Sequence, residues 1–418
     1  MKIAVIGGGS TYTPELVEGL ALWQLRGGPD LVSLHDIDAG RLSVVAGFSA
    51  RMAAALNSGL VVEAESDFDK AVQGADFVVF QIRVGGQQAR HEDIRMGLDR
   101  GLIGQETTGV GGFAKALRTI PVVLDMARRV RDANSRAWII NFTNPSGIVT
   151  EAICRFATTR CIGLCNVPTE FQMDIARHLR MAPEDVMLDW VGLNHLGWVR
   201  RILVRGQDML PYLLETFDSE RGPKNIPDLD YPRGFLKALG MIPSSYCRYY
   251  YMPDQMMAEL RRKPRTRAQE VMEIEDRLMD YYRDAANVVK PLLLSERGGA
   301  WYSRIAVDVM AALGSAEPRR VIVNMLNRGS IEELPGDASV EVPCMLSSAD
   351  VQPLPVGEVD ERIMGLIRQV KSYERLTVQA AVSRDPDLAL MALVANPLVP
   401  SAGLAADVLQ ALKKRKIL

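Results

Sequence analysis

Short apolar runs recur through the first part of the chain and alternate with longer stretches in which apolar residues return every three or four positions. Residues 2–6, 31–34, 60–64, 76–81, 138–140 and 161–164 read as short buried strands. Helical periodicity fills residues 39–57, 113–133 and 146–157 between them, and a first helix follows residue 13. This alternation predicts a Rossmann-like α/β fold over residues 1–165, a doubly wound parallel sheet with right-handed crossovers. Residues 166–418 read as a second, mixed α/β domain. Within it, 267–289 and 301–313 carry helical periodicity, and 319–326 and 340–346 read as strands separated by a turn at Pro335-Gly336. Helices over 359–375 and 376–396 should close it. From about Val199 the pattern is mixed, and the acidic, proline-containing stretch 217–233 reads as a loop near a site.

The first strand runs directly into Gly7, Gly8, Gly9, Ser10 and Thr11. Strand, glycine turn and helix start in that order suit a pyrophosphate, because glycines without Cβ atoms let it approach backbone N–H groups at the positive end of a helix. Thr13 is a natural N-cap, Pro14 fits the first helical position and Glu15 favours that end of the helix. The strict G-x-G-x-x-G spacing is half met, since position 12 is Tyr12. A tight strand-to-helix turn in any α/β protein is the plainer alternative. Asp36, at the tip of the second strand, lies where a carboxylate accepts hydrogen bonds from ribose hydroxyls and repels a 2′-phosphate, which favours NAD over NADP. Asp38 more simply caps the next helix.

Composition narrows the class without naming it. The 418 residues are 48% hydrophobic and 24% charged with a net charge of −2, which describes a globular chain with no general drive toward nucleic acid or anionic membrane. Cys154, Cys161, Cys165, Cys247 and Cys344 are odd in number, sparse and without a C-x-x-C pair, so a reducing, cytoplasmic setting is expected. The start, Met1-Lys2-Ile3, enters a strand at once and leaves no room for a signal peptide. No apolar run is long enough to predict a membrane span.

Other polar clusters fall at strand ends. Residues 82–112 read as a glycine-rich, charged segment holding Arg83, Arg90, His91 and Glu106, and an arginine there can clamp a phosphate or carboxylate. Asn141 and Asn144 follow the fifth strand as ligand contacts or as partners of loop backbone. Cys165, after the sixth, and His195, in Gly192 to Trp198, could share a divalent metal, although a buried cysteine is usually packing and a lone histidine usually a hydrogen bonder. Two protein ligands would leave coordination positions open for a substrate. Tyr246 opens a cluster with Tyr249, Tyr250 and Tyr251, whose last three members read as aromatic packing with hydroxyls at the rim.

The chain resembles glycoside hydrolase family 4, the NAD- and metal-dependent glycosidases, and within it the branch acting on 6-phospho-β-glucosides. The resemblance covers nearly the whole chain: GGGST at 7–11, IRVGG at 82–86, GQET at 104–107, NFTNP at 141–145, GLCN at 163–166 and GLNHLGW at 192–198. PSSYCRYYY at 243–251, TRAQEVME at 266–273, RGGAWYS at 297–303 and VEVPC at 340–344 continue it. It implies that Cys165 and His195 hold the metal, usually Mn²⁺, that Tyr246 is the catalytic base, and that Arg90, Asn144 and Arg267 hold the substrate with arginine on its phosphate. Gly7 to Thr11, Asp36 and Asn141 would bind NAD. Glu106 would sit beside the tyrosine and raise its basicity, and Asn166 would face the glycosidic oxygen. An aspartate at that position serves as proton donor in the α-glucosidase branch, so Asn166 argues for β-linked substrates and leaves the general acid unidentified.

By the same resemblance the reaction is redox-assisted and lies outside the usual two-carboxylate scheme. NAD⁺ would oxidise carbon 3 of the sugar, Tyr246 would deprotonate carbon 2 with the metal stabilising the enediolate, the aglycone would leave by elimination, and water addition and re-reduction would follow. The expected substrate is a phosphorylated disaccharide such as cellobiose 6-phosphate or an aryl β-glucoside, and a homodimer or homotetramer is the expected assembly. Two rivals remain at this stage: an NAD-dependent dehydrogenase of the lactate/malate type with net oxidation, and a non-catalytic NAD-sensing protein.

Overall fold

The computed structural model describes residues 1–216, 226–299 and 301–418. Residues 217–225 of the expected 217–233 loop, and Ala300 of the RGGAWYS motif, lie outside the described residues. The first half forms β1 (Lys2–Ile6), β2 (Leu31–His35), β3 (Val61–Ala64), β4 (Phe77–Phe80), β5 (Trp138–Asn141) and β6 (Cys161–Gly163), all parallel where they pair. Ile3, Ala4 and Val5 of β1 are wholly buried because helices cover both faces, which is why the strand is apolar without alternation. From β1 the chain adds β2 and β3 on one side and then β4, β5 and β6 on the other. The order reverses between β1 and β4, and the crevice at their carboxyl ends is the usual ligand position of such sheets.

The second half contributes to the same sheet and also builds its own. β7 (Val186–Leu193) and β8 (Leu196–Val204) form an antiparallel hairpin, extended by β9 (Gln207–Asp208) and β10 (Ile242–Pro243) on β8. β11 (Arg319–Leu326), β12 (Ser339–Leu346) and β13 (Val351–Pro353) are antiparallel and continue the large sheet beyond β6, giving β13-β12-β11-β6-β5-β4-β1-β2-β3. Residues assigned to the second domain thus complete the sheet of the first. Cys165 and Tyr246 share an apolar cluster with Trp190, Val199 and Tyr249 beneath the hairpin. Among the described residues no helix is long and apolar enough to cross a membrane.

Several boundaries differ from expectation for identifiable reasons. The first helix is Thr13–Gln24 with Tyr12 before it, so Thr13 is not the N-cap; its hydroxyl instead accepts from the Gln81 amide at 2.7 Å. Residues 86–98 of the charged segment are a helix, Gly86–Leu98, whose buried polar residues conceal the apolar stripe. The following helix begins at Gly109 rather than Phe113. The mixed region at Val199 is the middle of β8. The helix from Arg267 stops at Arg283, and near the C-terminus one helix runs Glu361–Ser383 before a second, Pro386–Ala395. That break comes from Asp385, which caps the second helix, with Pro386 at its start. Tyr249 lies wholly inside the core rather than at a rim.

Candidate active site

The glycine turn is shaped by what a side chain would strike. A Cβ on Gly7, whose φ is +93°, would lie 2.9 Å from the Gln81 carbonyl oxygen, and one on Gly8 would lie 2.9 Å from the Leu34 Cβ. Gly9 packs so closely on Asp36 that its Cβ would meet the carboxylate at 3.0 Å, and its N–H donates to Asp36 Oδ2 at 2.9 Å. The Asp36 carboxylate also accepts from the Asp38 N–H, while Asp38 caps the helix by accepting from the Arg41 N–H, as its position suggested. Ser10 Oγ accepts from the Tyr12 N–H, and Thr11 is buried with its hydroxyl lacking a partner. Ile37, beside Asp36, is almost fully exposed, at 99%. A side-chain-free backbone turn, an acid at the second strand tip and an exposed apolar residue beside that acid fit a dinucleotide.

Gly299, Tyr302 and Ser303 brace this turn from the other side. The Tyr12 hydroxyl donates to the Gly299 carbonyl, and Ser303 Oγ donates to Glu15. Tyr302 stacks on Phe142 at 3.8 Å and donates to Gln81, which in turn donates to the Gly7 carbonyl at 3.1 Å. The turn is therefore tied both to the loop after β5 and to a distant segment.

Next along the carboxyl edge is a charged cluster. Glu106 receives Arg90 at 2.7 Å and Lys115 at 3.0 Å and also pairs closely with Arg83. Burial works to raise the Glu106 carboxyl, but the three cations hold it well below the usual carboxylate range. Burial and the neighbouring Arg83 bring Lys115 down to about 7, and burial brings Arg90 to about 10. Arg90, Glu106 and Arg267 line a cavity of about 380 Å³ with Arg261, Lys263 and Arg265 at its basic wall. Arg267 stands at the first turn of a helix fixed by a capping box of Thr266 and Gln269, and His91 hydrogen-bonds Thr266 at 2.9 Å. Glu106 and Lys115 also act electrostatically on His195, whose ring stacks on Tyr246, so the carboxylate expected beside the tyrosine is held by three cations on the side of that stack. Lys115 escaped sequence reading, although a lysine between Ala114 and Ala116 on a buried helix face was a signal.

The metal candidates and the tyrosine come from three separate elements. Cys165 follows β6 and is buried. His195 occupies the two-residue turn between β7 and β8 with a left-handed φ of 62°. Tyr246 follows β10, which lies along β8 at Trp198 and Val199, and its ring stacks on the His195 imidazole at 3.8 Å and 7°. Burial drives the His195 imidazole down to about 3, so it is neutral and has a lone pair to offer. Burial, with Glu341 nearby, pushes the Cys165 thiol well up, which a cation would reverse. Asn194 lies beside that thiol and accepts from the Gly147 N–H, tying the histidine turn to the loop after β5. No group of three or more His, Cys, Asp or Glu side chains among the described residues converges on a metal position. A metal here would rest on two side chains and keep its other positions open.

Asparagines divide by role. Asn141 is wholly buried and serves the loop, donating toward Thr143, Ser146 and Thr150 and accepting from the Thr143 N–H, so its side chain takes the internal alternative rather than a ligand contact. Asn144 is half-buried in the same loop. Asn166 begins the helix Val167–Leu179, and its amide donates closely to Glu170, whose carboxyl burial and Asp174 push up to about 7.

The architecture defines a Rossmann-like α/β protein that presents a glycine turn after β1 and a thiol after β6 at the carboxyl edge of one sheet, with an imidazole stacked on a phenol beside the β7–β8 hairpin. The chain belongs to glycosyl hydrolase family 4: the family model matches residues 2–181 and the model of its C-terminal domain matches residues 190–399. It is 41% identical to 6-phospho-beta-glucosidase BglT of Thermotoga maritima, over 98% of this chain and 97% of that protein. A probable 6-phospho-beta-glucosidase of Bacillus subtilis is 38% identical over 98% of this chain and 95% of that protein. The solved 6-phospho-beta glucosidase from Thermotoga maritima with manganese, NAD+ and glucose-6-phosphate superposes with a TM-score of 0.91 at 39% identity, covering 100% of this chain and 99% of that one.

Proposed function

We propose that this protein hydrolyses 6-phospho-β-glucosides with NAD⁺ and Mn²⁺ bound in one crevice. The observation that carries the reading is the stacking of His195 on Tyr246, which sets a proton acceptor against a metal ligand at the open edge of the nucleotide-binding sheet. The relatives named above supply the substrate class, and this chain's residues are suited to it.

Gly7 to Thr11 and Asp36 hold the dinucleotide, and Cys165 and His195 hold the metal as thiolate and neutral imidazole. Bound, the two supply a reversible hydride acceptor for carbon 3 of the sugar and a Lewis acid. Tyr246, ionised as phenolate, takes the proton from carbon 2, which the carbon 3 ketone has made acidic, and aglycone departure from carbon 1 follows. Arg90 and Arg267 bind the 6-phosphate from the basic wall of the cavity, with Asn144 on the sugar. Glu106 acts by fixing Arg90, because a guanidinium already paired on one edge has its other edge held in a set direction. Asn166 carries no proton it can give near neutral pH, so the aglycone takes its proton from another group. Residues 1–165 accordingly carry the nucleotide, and residues 166–418 supply histidine, tyrosine and phosphate contacts, with Cys165 at the join.

Turnover of 4-nitrophenyl β-glucoside with and without a 6-phosphate, in the presence of NAD⁺ and Mn²⁺, tests the proposal. Release of nitrophenol from the phosphorylated compound alone, dependent on both cofactors and without net NADH, is the expected result. NADH accumulating in step with substrate consumed would support the dehydrogenase reading. Tight NAD binding with no turnover on any phosphoglycoside would support a sensing protein.

A further inference from the structure

Glu341, in the VEVPC stretch on β12, is 1% exposed, and the proposed chemistry leaves it without a role. Its Oε1 accepts from the Asn324 amide at 2.9 Å and from the Asn194 amide at 3.2 Å, while its Oε2 is buried without a hydrogen-bond partner. The Trp190 indole N–H also acts on this carboxyl without reaching bonding geometry, and a buried carboxyl with one oxygen left so is costly if its task is only to hold the fold.

What it joins suggests a different task. Gly163, Asn324 and Glu341 lie in one row across β6, β11 and β12, and Gly163 precedes Cys165 by two residues. A Cβ on Gly163 would stand 2.9 Å from the Asn324 Cβ, so the glycine lets this row close up. On its other side Glu341 holds Asn194, the neighbour of His195, and Asn194 packs its Cβ against Gly147 where the loop after β5 begins its helix. One carboxyl therefore links the strand that presents Cys165 to the turn that presents His195, and it lies within electrostatic range of the Cys165 sulfur. Burial raises the Glu341 carboxyl to about 7, so its negative charge is held fully only when a cation lies nearby, and that charge in turn favours the cation over a bare thiolate.

We propose that Glu341 is the positioning residue of the metal site, acting through Asn194 to set the spacing of Cys165 and His195 and supplying an uncoordinated negative charge behind the cation. This rests on the reading of Cys165 and His195 as metal ligands. The residue touches neither substrate nor metal. Outer partners of this kind are worth about 10–100-fold in metal affinity.

Mn²⁺ binding, read from the electron paramagnetic resonance of free ion, tests it on the NAD-loaded protein without substrate. Glu341→Gln, nearly isosteric, should weaken Mn²⁺ by about 10–100-fold while NAD affinity stays within about twofold, and saturating Mn²⁺ should restore most of kcat. A folded Glu341→Gln protein with wild-type Mn²⁺ affinity would overturn the proposal, whatever happens to its melting temperature. Should that variant fail to fold, Asn324→Ala, which removes one of the two amides and touches neither proposed ligand, should still weaken Mn²⁺ by several-fold; unchanged affinity there would also overturn it. Cys165→Ser with undiminished Mn²⁺ affinity would overturn the ligand assignment and this proposal together, whereas loss in Cys165→Ser with none in Glu341→Gln overturns this proposal alone.

Discussion

The two ends of the proposed site are made in opposite ways. Around Gly7, Gly8 and Gly9 the site is backbone, defined by the absence of side chains and by a carboxylate that accepts from the Gly9 N–H. Around Cys165, His195 and Tyr246 it is side chain, delivered from β6, the β7–β8 turn and the segment after β10. A backbone site is written in a few consecutive residues and fails by steric intrusion. An assembled site is spread over the sequence and fails by loss of one atom. Substitutions at the two ends should therefore separate nucleotide binding from chemistry.

The largest separation is expected at the proposed metal ligands. Cys165→Ser or His195→Ala should lower Mn²⁺-dependent turnover by roughly 10³-fold or more, since a Lewis acid is worth several kcal/mol, while NAD affinity measured by fluorescence changes little. A variant with normal turnover and unaltered metal affinity would break the comparison at its stronger end. Tyr246→Phe keeps the ring stacked on His195 and loses the ionisable oxygen, so turnover should fall by about 10²–10⁴ with folding and Mn²⁺ affinity preserved. Equal losses in binding and turnover would make Tyr246 a substrate contact instead.

At the backbone end, Gly7→Ala places a side chain at positive φ against the Gln81 carbonyl, a strain of about 1–3 kcal/mol. NAD affinity by calorimetry should drop about tenfold to a hundredfold with Mn²⁺ binding intact; a parallel fall in Mn²⁺ affinity would show that the two ends are not independent. The smallest effect is on pH dependence. Burial and the Asp174 charge raise the Glu170 carboxyl to about 7, so the folded state keeps its proton between the unfolded value near 4.5 and about 7. Folded protein then binds more protons than unfolded in that window, and this group's contribution to stability falls as pH rises through it, by at most about 1.4 kcal/mol per pH unit. Glu170→Gln should flatten the slope in urea melts taken from pH 5 to 7; an unchanged slope would assign it elsewhere.

The same contrast explains what the sequence made legible. Strands, their helix-separated alternation and the glycine turn were readable because each rests on local pattern, and Asp38 was readable as a cap for the same reason. Glu106 was found, but its partners Arg83, Arg90 and Lys115 converge only after the helices Gly86–Leu98 and Gly109–Ala133 pack, so the ion cluster around it could not be read from the letters. Asn141 had two readings of equal local merit, and the closeness of Thr143 and Thr150 decided between them. The helix break at Asp385-Pro386 was present in the letters, as an N-cap followed by proline, and was overlooked in favour of an even division of an apolar stretch. That β11 to β13 complete the first sheet could not be read at all, because antiparallel pairing to β6 depends on a long-range register, Asn324 against Gly163.

Hydrolysis of 4-nitrophenyl 6-phospho-β-glucoside in D₂O, with NAD⁺ and Mn²⁺ present and product glucose 6-phosphate read by NMR, tests the central claim most directly. If Tyr246 removes the carbon 2 proton during turnover, product should carry solvent deuterium at carbon 2 while NAD⁺ is not consumed. Product with only protium at carbon 2, formed at the full rate, would contradict the redox-elimination account and return the site to ordinary displacement at carbon 1.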